Sequence, residues 1–557
     1  MRLYKCIICY ENLFMFKNIL NIKSSSIISA AVVIGAAGLV SRFLGIIRDR
    51  ILAGQFGAGD TLDVYYAAFR IPDLIYNLIV IGALSTGFIP VFISLFRKED
   101  SEKYVDNKEA WDMASNIINI LSVFFIVLGV IVIAFSQKIV PIITPGFTGE
   151  KLQLTINLTR IMFLSPVFLG LSGILGGVLQ SCKRFLCFSL SPVMYNLGII
   201  FGALILSNYW GVYGLVWGVV LGAFLHFLIQ LPTAIKLGFR YRWILNFGDK
   251  SFIKIIKLTA PRLLGLVSTQ INLVVVTIFA STLASGSLTI FNLSNNLQNF
   301  VIGIFGVSFA MAAFPTLSKA FVDDNLEEFK TTFLKTVKQV LFFVVPATVL
   351  MVILRIQVVR VILGAGQFDW SATILTANSL AYFSISLFAQ ALIPLLARAF
   401  YARHNSIIPF VASFVSVIIN VIASWYFIKF WGVLGLALSF SISSLVNFII
   451  LVVWLKIRIP NVWTDGLIKF IFKLSFISII TGVATQYVKT GLGFVVDMHK
   501  FWGVFLQGFV AGIIGIIVFS LVAYWFRLDE FLSFVASAKR KLFKSVKLTE
   551  GIKEIDQ

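Results

Sequence analysis

Trp210-Gly211-Val212-Tyr213-Gly214-Leu215 returns, 221 residues later, as Trp431-Gly432-Val433-Leu434-Gly435-Leu436. A second stretch, Arg42-Phe43-Leu44-Gly45, returns after 220 residues as Arg262-Leu263-Leu264-Gly265. Two independent matches at nearly one offset point to an internal duplication. Each copy holds about six apolar runs long enough to cross a bilayer, so the chain reads as two homologous six-helix halves followed by an extra helix pair. Six is even, so both halves enter the membrane in the same sense. The repeat is parallel, related by an axis along the membrane normal. Two such lobes around a central cavity form a transporter architecture, rocking between inward-open and outward-open states.

Composition supplies the membrane. The 557 residues are 59% hydrophobic and 13% charged, with a mean hydropathy of +0.95. A soluble chain runs roughly 45–50% apolar and about 25% charged. Too little charge is present to cover a water-facing surface, which excludes a soluble globular enzyme, a disordered chain and a fibrous repeat. Apolar runs fall at 26–47, 62–96, 112–136, 153–180, 187–207, 212–235, 258–283, 286–320, 332–354, 371–400, 406–428, 432–455, 468–488 and 501–526. They predict an all-α polytopic membrane protein of about 14 transmembrane helices. The runs at 62–96 and 286–320 are too long for a straight crossing, and Pro72, Pro90 and Pro315 predict kinks in them.

Charge in the breaks sets the orientation. Lys236, Arg240, Arg242, Lys250, Lys254 and Lys257 follow the sixth run, Lys456, Arg458, Lys469 and Lys473 follow the twelfth, and the tail carries seven more cations between Arg527 and Lys553. The breaks at 208–211 and 285–287 carry none. Basic breaks are the even-numbered ones, so both termini are cytoplasmic. The net charge of +21 then reads as loops facing anionic membrane lipids rather than nucleic acid. The expected domains are a cytoplasmic arm at 1–25, a first lobe at 26–236, a basic cytoplasmic linker at 237–257, a second lobe at 258–457, the last helix pair at 458–526 and a basic tail at 527–557. The stretch before Met15 is an upstream start or a short disordered arm.

A charge near a helix centre costs about 2.5–3.5 kcal/mol on insertion scales, so it usually faces a wet cavity. Arg42, Arg48 and Asp49 lie within two turns at the end of the first run. Arg42 and Asp49, seven apart, share a face. Asp63 and Arg70 have the same spacing in the second run and align, with Asp73 one turn on. Arg160 opens toward the fourth run and Arg262 lies within the seventh. One reading is a cationic cavity for an anionic headgroup, since the guanidinium fork pairs with phosphate oxygens and stays charged. The other is snorkelling to an interface, or Arg–Asp pairs that pin helices together. Arg398 and Arg403 read as an ordinary cytoplasmic helix end.

Nothing supports catalysis. His226 reads as a packed or interfacial residue, His404 and His499 lie at span ends, and no HExxH, acidic metal motif or phosphate loop occurs. No cofactor is expected, and the energy must come from a Na+ or H+ gradient, membrane potential or substrate flux. Cys6 and Cys9 form a lone CxxC without a second pair, and Cys182 and Cys187 read as free thiols in a cytoplasmic loop.

The stretch from Ser41 to Asp49, then Phe56-Gly57-Ala58-Gly59, Asp63, Phe69-Arg70-Ile71-Pro72-Asp73-Leu74 and Gly82-Ala83-Leu84-Ser85-Thr86-Gly87-Phe88-Ile89-Pro90, resembles the signature of the MurJ (MviN) lipid II flippases. These belong to the multidrug/oligosaccharidyl-lipid/polysaccharide exporter superfamily. The likeness continues at Leu158–Phe163, Ile278–Ser287, Phe314–Lys319 and Gly364–Asp369, and covers most of 27–530. It implies fourteen helices in two lobes in a bacterial inner membrane. It also implies flipping of undecaprenyl-diphosphate-linked peptidoglycan precursor to the outer leaflet, in company with cell-wall synthesis proteins. Arg42 and Arg48 match first-helix arginines that hold the diphosphate, Asp63 matches an acidic position early in helix 2, and the pair at 458–526 matches a lipid-tail groove.

Two departures matter. Many members carry Arg in helix 2 and Glu just before the Gly-Ala-Leu-Ser element, where this chain has Tyr76 and Ile81; many carry Arg in helix 8, where it has Asn296. Arg262 is the candidate to substitute. A flippase for another polyprenyl-diphosphate glycan would share this fold and charge. A MATE-type cation-coupled exporter would need an acidic, aromatic cavity, and a polyprenyl-phosphate glycosyltransferase would need acidic loop residues that the sequence lacks.

Overall fold

The computed structural model describes residues 27–78, 87–96, 108–463, 465–498, 500–537 and 539; side chains at 27–32, 96, 260–266 and 465 are also outside the described set. The N-terminal arm with Cys6 and Cys9, the stretch 82–86 with Ile81, and the tail from 540 therefore lie outside the described residues. Within the described residues all regular elements are helices. Nine are long and apolar enough to cross a membrane, or ten with the pair Trp370–Ser384 and Leu387–Ala402, which is bent by 49°.

The predicted spans 26–47, 62–96 and 258–283 are not among these, and each of them includes residues outside the described set. The helix Ile27–Phe56 carries Arg42, Arg48, Asp49 and Arg50. Within the run 62–96 the described α-helices are the charged Asp60–Tyr76 and the short Ile89–Phe96. The helix Lys250–Ser281 begins on a basic turn, and its described apolar part is only Val267–Ser281.

The repeated Trp-Gly-Val is a repeat of backbone conformation. Gly211 has φ +56°, ψ −135° and Gly432 has φ +53°, ψ −127°. That region is essentially closed to any residue with a Cβ. Gly211 turns the chain from the helical stretch ending at Trp210 into the helix Val212–Leu228. Gly432 breaks the 52-residue helical stretch Ile407–Arg458 at the junction of the predicted spans 406–428 and 432–455.

In the run 286–320 the departure from α-helical geometry does not fall at its proline. Pro315 sits inside the continuous helix Ser308–Val322, and the break in that run is the π-helical segment Ile302–Val307. There a Cβ on Gly306 would stand 2.6 Å from the Ala391 carbonyl oxygen, so close backbone packing, not proline, decides the site of the distortion. Pro90 lies in the helix Ile89–Phe96, directly after the π-helical Gly87 and Phe88.

The chain forms two compact units: Met1–Asn292 with Ile362–Ala372 and Ile428–Leu436, and Leu293–Val361 with Thr373–Phe427 and Ala437–Gln557. In the first, the helix Phe185–Phe201 with the π turn Gly202–Leu206 packs against Val212–Leu228 through small residues. A Cβ on Gly198 or Gly202 would strike the Cα of Gly222 or Gly218 respectively. Such close approach is how helices associate where water cannot drive them together. Phe92, Trp111 and Phe239 meet edge to face at 5.7 and 5.9 Å in the same unit's core. His226 is packed as expected, its Nδ1 2.6 Å from Ser172 Oγ. Cys182 and Cys187 are buried thiols that form no disulfide among the described residues; Cys182 lies in the turn between two helices, as read from sequence, whereas Cys187 lies within the helix Phe185–Phe201 rather than in the loop.

The second unit centres on Phe329, Phe333, Leu395, Phe400 and Leu474. Beside this core lies an apolar cavity of about 420 Å³, lined by Leu341, Phe388, Leu392, Phe448 and, from the helix Asp465–Gly493, Ile471 and Leu474. Arg403 Nη1 donates to the Arg458 carbonyl at 3.1 Å, serving a helix end as read from sequence.

Candidate functional site

The charged residues of the first two helices gather in the first unit. Arg48 donates from Nε and Nη2 to Asp49 Oδ1 at 3.0 and 2.8 Å, and from Nη1 to Asn196 Oδ1 at 3.2 Å. Asn196 in turn donates to the Ser41 and Pro192 carbonyls at 3.3 and 3.0 Å, fixing its oxygen toward Arg48. Neighbouring residues on a helix do not face each other. The long Arg48 side chain curls back to Asp49, so the Asp49 carboxylate is engaged by Arg48 rather than by Arg42.

Arg42 is half-buried and makes no hydrogen bond or ion pair among the described residues. Among the described residues its donors are therefore uncommitted. Arg262 lies on the backbone of the helix Lys250–Ser281, and its side chain is outside the described residues.

Arg70 and Asp63 do not pair, contrary to their seven-residue spacing. Arg70 is only 8% exposed, and donates from Nε to Thr277 Oγ1 at 2.7 Å and from Nη2 to Asn292 Oδ1 at 2.6 Å. Asp63 is 2% exposed. Its Oδ2 accepts from the Gly286 N–H at 2.8 Å, and its Oδ1 accepts from Thr289 N–H at 2.9 Å and Thr289 Oγ1 at 2.8 Å. These are the orphan donors at the start of the helix Ser287–Val301, so Asp63 caps that helix from a different one. A helix end competes better than Arg70 for the carboxylate, because it offers several aligned donors.

Outside these groups, Lys151 Nζ lies 2.5 Å from Asp60 Oδ1, 3.6 Å from Asp63 Oδ2 and 4.0 Å from the centre of the Phe147 ring. Ser285 Oγ also donates to Asp60, at 2.6 Å. Asp73 is half-buried, accepts no hydrogen bond among the described residues, and feels the field of both Arg70 and Arg48. Tyr76 packs partly buried against the cluster of Ile71, Ile75 and Phe125. Arg160 Nε donates to Ser136 Oγ at 2.8 Å, which makes it a helix-to-helix tie. Asn296 lies in the second unit, in the helix Ser287–Val301.

The polar partners Asn196, Thr277, Asn292, Thr289 and Lys151 were not singled out from sequence. Asn196 and Asn292 are polar side chains inside apolar runs, and that signal could have found them. The glycine-rich segment after Ile362 also closes on the first helix. Gln367 N donates to the Gly54 carbonyl at 2.8 Å, and Gly366, at φ +52°, leaves no room for a Cβ against that carbonyl.

An all-helical, multi-pass membrane protein with arginines and carboxylates on its spans is the class that fold and site define. A family model described as "Lipid II flippase MurJ" matches residues 52–505. The probable lipid II flippase MurJ of Buchnera aphidicola subsp. Acyrthosiphon pisum is 32% identical over 417 residues, covering 74% of this chain and 80% of that protein. That of Vibrio cholerae serotype O1 is 28% identical over 510 residues, covering 90% and 96%. A solved lipid II flippase MurJ in an inward closed conformation superposes with a TM-score of 0.73 at 25% identity, over 89% of this chain and 99% of that one. An inward-facing MATE family multidrug resistance transporter of the MOP superfamily shares the fold, with a TM-score of 0.60 at 15% identity over 78% and 98%. The chain belongs to the MurJ lipid II flippase family.

Proposed function

We propose that this chain flips lipid II, the undecaprenyl-diphosphate-linked peptidoglycan precursor, from the inner to the outer leaflet of the bacterial cytoplasmic membrane by alternating access. The observation that carries this reading is family membership across 52–505, joined to an arginine-bearing first helix. In this reading the chain has fourteen spans, six in each of two parallel-repeat lobes and two beyond them, with both termini cytoplasmic. Arg42 and Arg48 bind the diphosphate, and Arg262 joins them from the second lobe. Arg42 has donors without a partner among the described residues, whereas Arg48 exchanges Asp49 for substrate oxygens. Asp63 holds the start of the helix Ser287–Val301 and would let go when the outer side opens. Asp49, Arg70, Asp73, Arg160, Tyr76 and Asn296 support these groups. The apolar cavity beside the helix Asp465–Gly493 suits an isoprenyl chain. No cofactor takes part, and a Na+ or H+ gradient or the membrane potential drives the cycle.

The test is complementation of a strain depleted of its own lipid II flippase, paired with an assay of which leaflet exposes the precursor. Growth with outward exposure of lipid II is the expected result. Failure to complement, with another polyprenyl-diphosphate glycan appearing outside, would replace lipid II by that glycan.

A further inference from the structure

The segment Arg240-Tyr241-Arg242-Trp243-Ile244-Leu245-Asn246-Phe247 joins the helix ending at Lys236 to the one beginning at Lys250, and it is irregular rather than helical. A non-helical backbone next to a membrane must still satisfy its N–H and C=O groups. Here a polar stripe on the helix Lys108–Ile143 does so. Asp112, Ser115, Asn116 and Asn119 recur at helical spacing on one face. Asn116 exchanges two bonds with the backbone of Asn246, donating Nδ2–H to its carbonyl at 2.9 Å and accepting its N–H at 2.8 Å. Asn119 Nδ2 donates to the carbonyls of Arg242 and Ile244 at 3.0 and 2.9 Å. Arg242 N donates to Ser115 Oγ, and its guanidinium holds Asp112 at 2.9 Å.

Clipped in this way, the strap has a fixed register. Tyr241 turns its hydroxyl back to Asn119 Oδ1 at 2.7 Å, whereas Trp243, Leu245 and Phe247 are 73%, 42% and 57% exposed. A row of large apolar side chains held outward is unlike a solvated loop. Around it stand Lys236, Arg240, Arg242, Lys250, Lys254 and Lys257, against Asp112, which Arg242 already engages, and Asp249, whose carboxylate is committed to capping the helix at Phe252 N–H. Aromatic rings with cations beside them match the chemistry of the zone where acyl chains meet anionic headgroups. Ile253 and Ile256, 41% and 49% exposed, continue the apolar surface into the next helix.

We infer that this strap is an interfacial membrane anchor: Trp243, Leu245 and Phe247 dip into the headgroup–acyl boundary of an anionic leaflet while the stripe Asp112–Asn119 holds the backbone above them. The linker between the two repeats is then tied both to the helix Lys108–Ile143 and to the lipid.

The experiment uses the full chain in vesicles of phosphatidylethanolamine and phosphatidylglycerol. Cys6 and Cys9 are replaced by serine, and an environment-sensitive NBD dye is attached to Trp243→Cys in one sample and Gly248→Cys in another. The dye at 243 should be quenched more by a nitroxide near the headgroup than by one deep in the acyl chains, and little by aqueous iodide. The dye at 248 should be reached by iodide. Replacing phosphatidylglycerol with phosphatidylcholine should weaken the lipid quenching at 243. Free access of iodide to 243 with no lipid quenching would overturn the anchor and leave the row as a surface for a soluble protein.

Discussion

The Arg70 guanidinium donates to Asn292 Oδ1 at 2.6 Å and to Thr277 Oγ1 at 2.7 Å, so a nearly buried cation is held by two neutral oxygens. Neutral acceptors do not cancel the charge. They replace water and fix the fork in one orientation, close to Asp73. Arg70→Met should therefore lower stability by about 1–3 kcal/mol, the range for leaving buried partners unsatisfied. Combining it with Asn292→Leu should cost less than the two single changes added together, because both ends of the bond are then apolar. Thermal unfolding of detergent-purified variants measures this. Strict additivity would mean that the contact carries no coupling.

Arg42 presents the opposite case. With no partner among the described residues, its removal should leave the unfolding midpoint near that of the unmodified chain while abolishing flipping at normal expression. Arg42→Lys should also fail substantially, since an ammonium keeps the field but loses paired contact with a diphosphate. A fully active Arg42→Lys in the depletion strain would show that charge alone is enough.

Acid should loosen the contact at Asp60, which lies outside the predicted span 62–96. Hydrogen bonds from Lys151 and then Ser285 hold its carboxyl below the ordinary value of 3.8. A folded-state pKa that is lowered contributes stability above the unfolded value, and that contribution disappears as pH falls through the lowered one. Asp60 is largely exposed, so the amount is that of a surface pair, about 0.2–1 kcal/mol. Unfolding followed from pH 7 to pH 3 should show Lys151→Met differing from the unmodified chain above pH 4 and converging with it below. A constant gap across the range would assign the difference to the Phe147 stacking instead.

How far these residues were legible from sequence depends on what fixed each one. Gly211 and Gly432 were marked by the repeat, and both take a backbone conformation that only glycine tolerates, so sequence and structure carry the same constraint. Charges inside apolar runs were equally plain. Their partners were not: seven-residue spacing put Asp63 beside Arg70, but Asp63 is taken by the N-terminus of a helix more than two hundred residues away. The break at Ile302–Val307 was misassigned to Pro315 because proline is visible in a sequence, whereas the backbone approach of Gly306 to Ala391 is not. The Asp112–Asn119 stripe makes the same point, since its meaning depends on a strap from beyond residue 240.

Orientation is testable without transport. Reporter fusions after Lys257 and Lys473 should read cytoplasmic and one after Ser285 periplasmic, because Lys and Arg crowd the even-numbered breaks and are missing from 285–287. A periplasmic signal at Lys257 would remove the six-plus-six arrangement, and with it the parallel repeat.

Arg262 rests on the repeat alone. Its position in the second copy is that of Arg42 in the first. The family resemblance implies arginines at the places of Tyr76 and Asn296, so by that reading fewer cations are available for a diphosphate of about two negative charges, and one lobe would neutralise it poorly. If Arg262 closes on the substrate, Arg262→Ala should impair flipping about as severely as Arg42→Ala, with membrane insertion and protein level unchanged. Asn296→Arg should then restore part of the activity, because it returns a cation from helix 8. The competing role is snorkelling toward the interface beside Lys254 and Lys257. In that case Arg262→Gln, which keeps the length and the hydrogen-bonding head, would be near neutral in the leaflet-accessibility assay, and Asn296→Arg would have nothing to restore.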